Sequence, residues 1–234
     1  LKAWFKGCPY EEYQFKSLLC FVNLVETLGI TMEKQLQDNY VRISTNTPIW
    51  DHFFTVAPLI IVGTKEGNGY DMAPKHMATP LGPSNYFGFL CTPNHSTYHN
   101  VKETKEFSVS FPIPNQVLLA SLGASPRNPD IDKSEQIVAS LPTVKATTID
   151  ALFVENSYLY LECELFKIID GFDDHSFITG KIKTAFVSKD YLRVSEMDEQ
   201  QQINEYPLLA YLPPGRFASI AQTYNFPFPK GFKK

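Results

Sequence analysis

APLIIVGTKEGNGYDMAPKHMATPLGPSNYFGFLCTPNHSTYHNVKETKEFSVSF, residues 57–111, is the stretch that decides the fold. The apolar run at 56–64 predicts a buried strand. The residues GNG at 67–69 predict a hairpin turn after it, because Gly and Asn accept the positive φ of a tight turn. The stretch continues with a predicted strand at 86–91 and a short helix at 97–105 that is capped by Ser96. Another strand is predicted at 106–111.

The remainder of the chain continues this pattern of strands joined by short helices. Residues 158–168 alternate between apolar and polar side chains, which predicts a strand whose Leu and Cys residues face the core while Tyr160, Glu162 and Glu164 face away. The turn GFDDHS leads from it into a second long strand, so the two form an antiparallel hairpin. Helices are predicted at 115–122 and 134–141, and a strand at 143–149. The second strand of the hairpin is predicted at 177–188, and an extended tail at 206–234.

About six strands with short helical connections favour a mainly β protein, an antiparallel barrel rather than a parallel βαβ sheet. The length of 234 residues and the absence of a visible linker indicate one core domain, which we place at 46–200. Residues 1–45 are interpreted as an N-terminal extension and 201–234 as a tail packing on the barrel or on a partner subunit. The first 31 residues are either an amphipathic helix on the domain or an extension preceding a start at Met32.

Composition and charge exclude several classes of function. Apolar residues make up 44% of the chain, which supports a substantial core, and a net charge of -4 argues against nucleic-acid binding. No run reaches the roughly 18 apolar residues of a membrane span. The four cysteines form no CxxC or zinc pattern, and we read from them a reducing, cytoplasmic location.

The familiar catalytic motifs are missing from the sequence. The glycines of the first hairpin precede a strand and not a helix, so they are a turn signal and not a dinucleotide fingerprint. No phosphate loop of nucleoside triphosphatases, GxSxG elbow or HExxH helix occurs. His95 and His99 have a metal-compatible spacing, but without a nearby carboxylate two polar residues at a helix start are the preferred interpretation, and no metal is expected.

The loop before the predicted helix at 97–105 is compatible with a phosphate. A helix start presents unpaired N–H groups and the positive end of the helix dipole. Ser96 and Thr97 add hydroxyls, and His95, His99, Lys102 or Lys75 would supply positive charge. Simple helix capping explains the same residues, and both interpretations stay open from the residues alone.

Three pieces of the chain, in order, resemble the flavin reductase-like family of FMN-binding split barrels. The first is APLIIVGTKEGNGYDMAP, similar to the opening hairpin of that family. The second is CTPNHSTYHNVKETKEFSVSF, similar to its strand, phosphate loop, helix and strand, where Lys-Asp-Thr-x-x-Asn-Ile is usual. The third is DDHSFITGKI, similar to its Asp-His-x-x-x-x-Gly-x-Val hairpin.

The resemblance implies an FMN-dependent oxidoreductase of split-barrel fold that oxidises NAD(P)H and passes electrons to free flavin or to an acceptor protein. It also implies a homodimer, because in this family each flavin site borrows residues from the second subunit. His175 would lie near the isoalloxazine and nicotinamide; its alternative role is that of a hairpin-end residue held by Asp174. The remaining implied cofactor contacts are Met72, Ala73, Pro74, Lys75, His76, Met77, Thr92, His95, Ser96, Thr97, His99 and Asn100.

The sequence departs from the family pattern in the phosphate loop. His95 stands where Lys is usual and His99 where an Arg is often found, and imidazoles with a reference pKa near ~6.5 are mostly neutral at pH 7. We therefore expect FMN affinity to be lower or pH-dependent. Replacing Thr97 and Asn100 with Ala is expected to weaken FMN binding and leave the fold intact. The alternatives are a flavin-binding electron carrier without NAD(P)H activity, or a related barrel holding haem or pyridoxal phosphate.

Overall fold

The computed structural model describes residues 38–125, 133–193, 198–229 and 231. The two interpretations of the first 31 residues therefore lie outside the described residues. The chain divides into two compact units, one of residues 54–222 and the other of 1–53 with 223–234. In the second unit a turn of 3-10 helix spans Trp50–His52. The ring centroids of Phe226 and Phe228 in this unit lie 4.7 Å apart.

The larger unit contains twelve strands and four α-helices among its described residues. The strands are β1 (Ala57–Pro58), β2 (Ile60–Glu66), β3 (Gly69–Lys75), β4 (Ala78–Pro80), β5 (Tyr86–Cys91), β6 (Glu106–Phe111), β7 (Thr143–Lys145), β8 (Leu152–Val154), β9 (Leu159–Phe172), β10 (His175–Val187), β11 (Leu208–Leu212) and β12 (Arg216–Ile220). The α-helices are α1 (Ser96–Thr104), α2 (Val117–Leu122), α3 (Lys133–Ser140) and α4 (Glu199–Glu205), with 3-10 turns at Pro114–Gln116 and Lys189–Tyr191.

The main sheet is antiparallel and curls back on itself. Its seven strands run in the order β3-β2-β6-β9-β10-β5-β4. In a flat sheet, six strand spacings of ~4.8 Å would separate its two edges by about 29 Å. Yet only His76 and Met77 lie between the end of β3 and the start of β4, a path of roughly 11 Å at 3.8 Å per residue. The two edges are therefore brought together, and the sheet forms a curled half-barrel.

The long hairpin of β9 and β10 bends because its register is interrupted. The pairing shifts at three places, between His175 and Ser176, between Thr179 and Gly180, and between Ile182 and Thr184. Each bulge increases the local twist and bends the strand. The predicted hairpin is therefore confirmed, and its bulges produce part of the curvature of the sheet.

Both faces of β2 are buried, which divides the core into two clusters. Ile60 and Val62 pack inside the curled sheet with the aromatic residues of β5 and β6. Ile61 points to the other face, where it packs with Met72 and with helices α2 and α3. Alternate side chains of a strand point to opposite faces. Burial on both sides explains the apolar residues of β2, but the single buried strand predicted at 56–64 is not observed: Val56 is 72% exposed, and Ala57–Pro58 forms the separate strand β1.

Glu162 is buried on the polar face of β9. Its side chain is completely buried although it lies on the opposite face of the strand from Leu161 and Cys163. The carboxylate accepts hydrogen bonds from the backbone N–H and the hydroxyl of both Thr147 and Thr148. Burial pushes the pKa of Glu162 upward, but these hydrogen bonds outweigh it and the pKa lies below its ordinary value.

Other boundaries differ from the sequence prediction for identifiable reasons. The strand predicted at 143–149 ends at Lys145, because the next residues bind Glu162 and not a strand. The tail predicted to be extended contains the β11–β12 hairpin, in which Leu209 and Ala210 are buried. Ser96 is the first residue of α1 and not its cap, since the N-cap is His95 without a capping side-chain hydrogen bond. The strands predicted at 86–91 and 106–111 are confirmed.

Candidate functional site

One cleft brings together six of the thirteen residues that the sequence singled out: Ala73, Pro74, Lys75, His95, Ser96 and Thr97. Its volume is about 370 Å³, within the roughly 300–1,000 Å³ of typical ligand sites. Three segments form it: the end of β3, the loop entering α1 and the residues after α2. The lining residues are Asp71, Ala73, Pro74, Lys75, Asn94, His95, Ser96, Thr97, Gly123, Ala124 and Ser125.

The end of β3 contributes main-chain groups and one cation. Ala73 and Pro74 pair with Val62 and Ile61 of β2 on one side. β3 lies at the edge of the sheet and pairs with no second strand among the described residues. At its start the N–H of Tyr70 donates instead to Oγ of Ser134 on α3, at 2.9 Å. Lys75 lines the cleft, and its Nζ donates a hydrogen bond of 3.4 Å to Sγ of Cys91.

The start of α1 is the element of this cleft best suited to an anion. His95 is extended at φ -96° and ψ 144°, so the helix begins abruptly at Ser96. N–H groups in a first helical turn have no partner within the helix, and the helix dipole places its positive end there. The side chain at the N-cap makes no capping hydrogen bond to them. Ser96 and Thr97 of this first turn line the cleft, and the N–H of Tyr98 donates to the carbonyl oxygen of His95 at 3.1 Å.

Two of the predicted phosphate ligands are turned towards the sheet. The hydroxyl of Thr97 donates to Oδ2 of Asp71 at 3.0 Å, and the amide of Asn100 donates to Oγ1 of Thr64 at 3.0 Å. Both side chains are buried, with exposed fractions of 1% and 8%. They fasten α1 to β2 and β3, and of the two only Thr97 lines the cleft. Replacing both is therefore expected to affect the fold, contrary to the sequence-based expectation.

Two groups of opposite charge in the cleft wall affect the pKa of the Cys91 thiol. Burial raises the pKa of this thiol, the ammonium of Lys75 acts to lower it, and the carboxylate of Asp71 acts to raise it. Of the two charged groups, Lys75 has the larger effect on the thiol, and its Nζ lies 3.4 Å from the sulfur atom. The thiol itself is buried, at 2% exposed, and unpaired with another cysteine, as is that of Cys163. Buried thiols of this kind behave as small apolar groups.

The segment after α2 was missed by sequence reasoning. Gly123 is packed so closely that a Cβ there would lie 3.3 Å from both the carbonyl oxygen of Met72 and Cδ of Pro74. This contact brings Ala124 and Ser125 to the cleft. The one local signal is a Gly directly after an apolar helix, which marks a helix end but not what lies against it.

The other predicted contacts lie outside the cleft lining. Met72 is buried in the core, and Thr92 accepts a hydrogen bond from the backbone of Asn94 at 3.3 Å. His99 is exposed on α1, and Met77 is 46% exposed between the two sheet edges.

His76 packs against the C-terminal hairpin. Its ring centroid lies 4.8 Å from that of Tyr211 on β11. Partial burial, and secondarily the charge of Lys75, lower the pKa of this imidazole.

His175 lies at the start of β10 and is not part of the cleft lining. Its Nδ1 is 2.6 Å from Oδ1 of Asp174, and its side chain is 48% exposed. Nearby, Ser176 and Tyr98 both donate hydrogen bonds to Oδ1 of Asp170, at 2.6 and 3.2 Å. These bonds tie the tip of the β9–β10 hairpin to α1.

The described residues contain neither a metal-binding cluster nor a membrane-spanning helix. No three His, Cys, Asp or Glu side chains in that part of the chain converge in a way that would hold a metal ion. No helix within it combines the length and the apolar character needed to cross a bilayer.

The curled antiparallel sheet, its helical connections and the cleft together define a split-barrel protein. The family model described as flavin reductase like domain matches residues 54–209. The chain belongs to the flavin reductase-like family. No curated protein sequence matches it.

Solved structures show the same fold at low sequence identity. An FMN-binding protein from Thermus thermophilus with bound 1-cyclohex-2-enone is 20% identical, with a TM-score of 0.63 over 80% of this chain and 99% of that one. A flavoredoxin from Methanosarcina acetivorans is 17% identical, with a TM-score of 0.65 over 82% and 97% of the two chains. A split-barrel-domain protein from Shewanella frigidimarina is 16% identical, with a TM-score of 0.63 over 74% and 87%.

Proposed function

We propose that this protein binds FMN in the described cleft and acts as an NAD(P)H-dependent flavin oxidoreductase. The observation that carries the proposal is the convergence of β3, the start of α1 and residues 123–125 on one cleft of about 370 Å³. Family membership supports it, and the FMN-binding protein from Thermus thermophilus shares the fold. The acceptor is either free flavin or a partner protein.

The residues present fit a phosphate-bearing planar group. The first turn of α1, with Ser96, would receive the phosphate, and the edge of β3 at Ala73 and Pro74 would lie along the ring through main-chain groups. Lys75 would add one positive charge. A bound flavin supplies the hydride-accepting chemistry, while the protein holds it and shields it from competing acceptors. No protein base is required for that chemistry.

Two tryptophan variants test whether flavin occupies this cleft. Ala124 is exposed at the cleft wall, so Ala124→Trp is expected to fill the cleft without disturbing the core. Leu118 lies on α2, the helix that precedes Ala124. It is 76% exposed and outside the lining, which makes Leu118→Trp the matched control. FMN titration followed by flavin absorbance should show at least tenfold weaker binding for the first variant and unchanged binding for the second. Equal affinity in both would place the flavin elsewhere.

The reductase activity is tested separately from binding. Protein loaded with FMN is mixed with NADH or NADPH, and loss of absorbance at 340 nm is followed. Steady, flavin-dependent oxidation is expected. A yellow protein that leaves both nucleotides unoxidised would instead be an electron carrier, and a protein that takes up no FMN would contradict the whole proposal.

We assign His175 a role in orienting nicotinamide. Asp174, 2.6 Å away, holds the imidazole, which stays accessible at the start of β10. The variant His175→Ala is expected to raise the KM for NAD(P)H several-fold while the Kd for FMN stays unchanged. A change in FMN affinity with unaltered KM would contradict this role.

The proposed quaternary state is a homodimer, formed through apolar side chains of the β9–β10 hairpin. Phe166, Ile169 and Phe172 are 62%, 41% and 52% exposed there. Large apolar side chains left open on one element are typical of interaction sites. Light scattering on the purified chain should give twice the mass of 26.6 kDa, and Phe166→Ser should shift it to the monomer. A wild-type monomer would overturn the dimer and leave flavin binding untouched.

A further inference from the structure

We propose that Asp170 is a positioning residue whose carboxylate sets the place of His175 relative to the start of α1. Asp170 lies on β9 and is not part of the cleft lining. The inference rests on the proposed function, because it concerns the imidazole to which we assign the orientation of nicotinamide. It deepens that function by naming the contact that joins the two ends of the proposed site.

Oδ1 of Asp170 accepts hydrogen bonds from two different parts of the fold. The hydroxyl of Ser176, on β10, donates to it at 2.6 Å, and the hydroxyl of Tyr98, on α1, donates at 3.2 Å. Ser176 is completely buried and Tyr98 is 7% exposed, whereas Asp170 itself is exposed. Buried hydroxyls are almost always hydrogen-bonded, so the shared oxygen fixes the positions of both donors. A displacement of α1 at Tyr98 is therefore transmitted to Ser176.

His175 depends on Ser176 for its position. The pairing of β10 with β5 begins at Ser176, opposite Cys91, so His175 lies one residue beyond the end of that ladder. On the other side, where β10 pairs with β9, the register shifts between His175 and Ser176. The contact of His175 with Asp174 joins two neighbouring, exposed residues and does not reach the rest of the barrel. The hydrogen bond from Ser176 to Asp170 is thus a side-chain anchor for this end of β10.

Tyr98 connects the same carboxylate to the wall of the cleft. It follows directly after Thr97, which lines the cleft, and its ring is part of the core cluster inside the curled sheet. Just past the other end of α1, the carbonyl oxygen of Lys105 accepts a hydrogen bond of 2.7 Å from the N–H of Leu165 on β9. Helix α1 is therefore tied to β9 at both ends, and the tie near the cleft is made by side chains that a substitution can remove.

The shared oxygen of Asp170 consequently holds the start of α1 and the start of β10 at one spacing. A group bound at the first turn of α1 and a ring oriented by His175 would keep that spacing between them. Positioning of this kind matters, because a misplacement of about 1 Å can cost roughly a hundredfold in rate. Loss of the acceptor should therefore weaken the use of nicotinamide while β3 and α1 still hold the flavin.

Substitutions of Asp170 test this role through the KM for NAD(P)H of the FMN-loaded full chain. In Asp170→Ala the shared acceptor is lost, so KM should rise several-fold, as in His175→Ala, while the Kd for FMN changes by less than about threefold. The amide oxygen of Asp170→Asn can still accept from both hydroxyls, so this variant should recover most of the loss. Adding Asp170→Ala to His175→Ala should raise KM no further, because Asp170 acts through the imidazole.

Amide hydrogen exchange of the flavin-free protein tests the contact itself. Tyr98→Phe removes the hydroxyl and keeps the ring in the core, and it should accelerate exchange at the start of β10 by about fivefold relative to β6. Tyr160→Phe is the matched control, since its hydroxyl donates to the carbonyl oxygen of Val154 at 3.0 Å and not to Asp170. Exchange at the start of β10 should be unaltered in this control.

The outcomes separate this inference from the proposed function. Unchanged KM in Asp170→Ala overturns the positioning role and leaves the reductase standing, as does unchanged exchange in Tyr98→Phe. A full further rise in KM on adding Asp170→Ala to His175→Ala also overturns it, because the two residues would then act independently. If Asp170→Ala does not fold, Tyr98→Phe takes its place in the KM comparison. Wild-type protein that takes up no FMN, or that binds FMN and oxidises no NAD(P)H, overturns the proposed function and the role of Asp170 with it.

Discussion

The backbone of Gly180 lies directly beneath the ring of Phe107. A Cβ at this glycine would stand 2.6 Å from Cε1 of the ring and 3.0 Å from Cβ of Cys163. Phe107 and Cys163 are completely buried, so neither can move aside. The Gly of the DDHSFITGKI piece is thus required by packing, at the bulge where β10 crosses the core.

We expect Gly180→Ala to destabilise the fold by about 2–3 kcal/mol, the range of overpacked cores. Chemical denaturation measures this as a loss in the free energy of unfolding. Removing the ring in Phe107→Leu makes room, so the double variant should be more stable than the sum of the two single effects predicts. Strict additivity would show that the two residues do not compete for the same space.

Glu162→Gln is expected to cost about 2 kcal/mol of unfolding free energy, because hydrogen bonds to a buried charge are lost or weakened. The pKa of Glu162 in the folded state lies below its value of 4.5 in an unfolded chain. The contribution of the Glu162 carboxylate to the unfolding free energy is therefore complete above pH 4.5. It is lost as the pH falls through the lower pKa of the folded state.

Unfolding free energies measured between pH 7 and pH 3 provide the check on Glu162. The wild type should lose stability towards acid more steeply than Glu162→Gln. Glu164→Gln is the matched control, since Glu164 is exposed and its ion pair with Lys183 lies at the surface. Exposed pairs contribute little, so its effect should stay within about 0.5 kcal/mol. Parallel pH curves for the wild type and Glu162→Gln would contradict the assignment.

The double variant Thr97→Ala with Asn100→Ala should lower the unfolding free energy by roughly 2–3 kcal/mol. Each change deletes a buried hydrogen bond to the sheet and leaves a polar partner unsatisfied. His99→Ala changes an exposed residue of the same helix and should stay within about 0.5 kcal/mol. The thermal unfolding midpoints of the wild type, the double variant and His99→Ala provide the measurement. Equal midpoints for all three would mean that α1 is held by other contacts.

Lowering the pH should loosen the C-terminal hairpin. The pKa of His76 is lowered in the folded state, so the stability it provides is present above the unfolded pKa of 6.5 and is lost as the pH falls below that value. Amide hydrogen exchange at β11 should therefore accelerate, relative to that at β6, between pH 7 and pH 5.5. In His76→Phe, which keeps a ring against Tyr211 but cannot titrate, this relative acceleration should be absent.

The parts of the fold that the sequence predicted are those specified locally. Tyr86–Cys91 and Glu106–Phe111 are confirmed because short apolar runs between turn residues specify a strand without distant partners. The burial of Glu162 was not predictable in this way, since it depends on two threonines about 15 residues away. The inward orientation of Thr97 and Asn100 could have been predicted from the helical spacing of the sequence. The two residues share the buried face of α1 with Tyr98 and Val101.

The two residues that join β3 to β4 have a consequence for behaviour in concentrated solution. Open sheet edges are templates on which further chains add, and natural proteins protect them. Here the edges are adjacent in the chain, β4 is only three residues long and ends at Pro80, and Pro74 interrupts the donors of β3. A ligand in the cleft would cover the remaining ladder of β3. The protein is thereby guarded against fibril-like stacking without closing its barrel, and the bound form should be the less prone to aggregate.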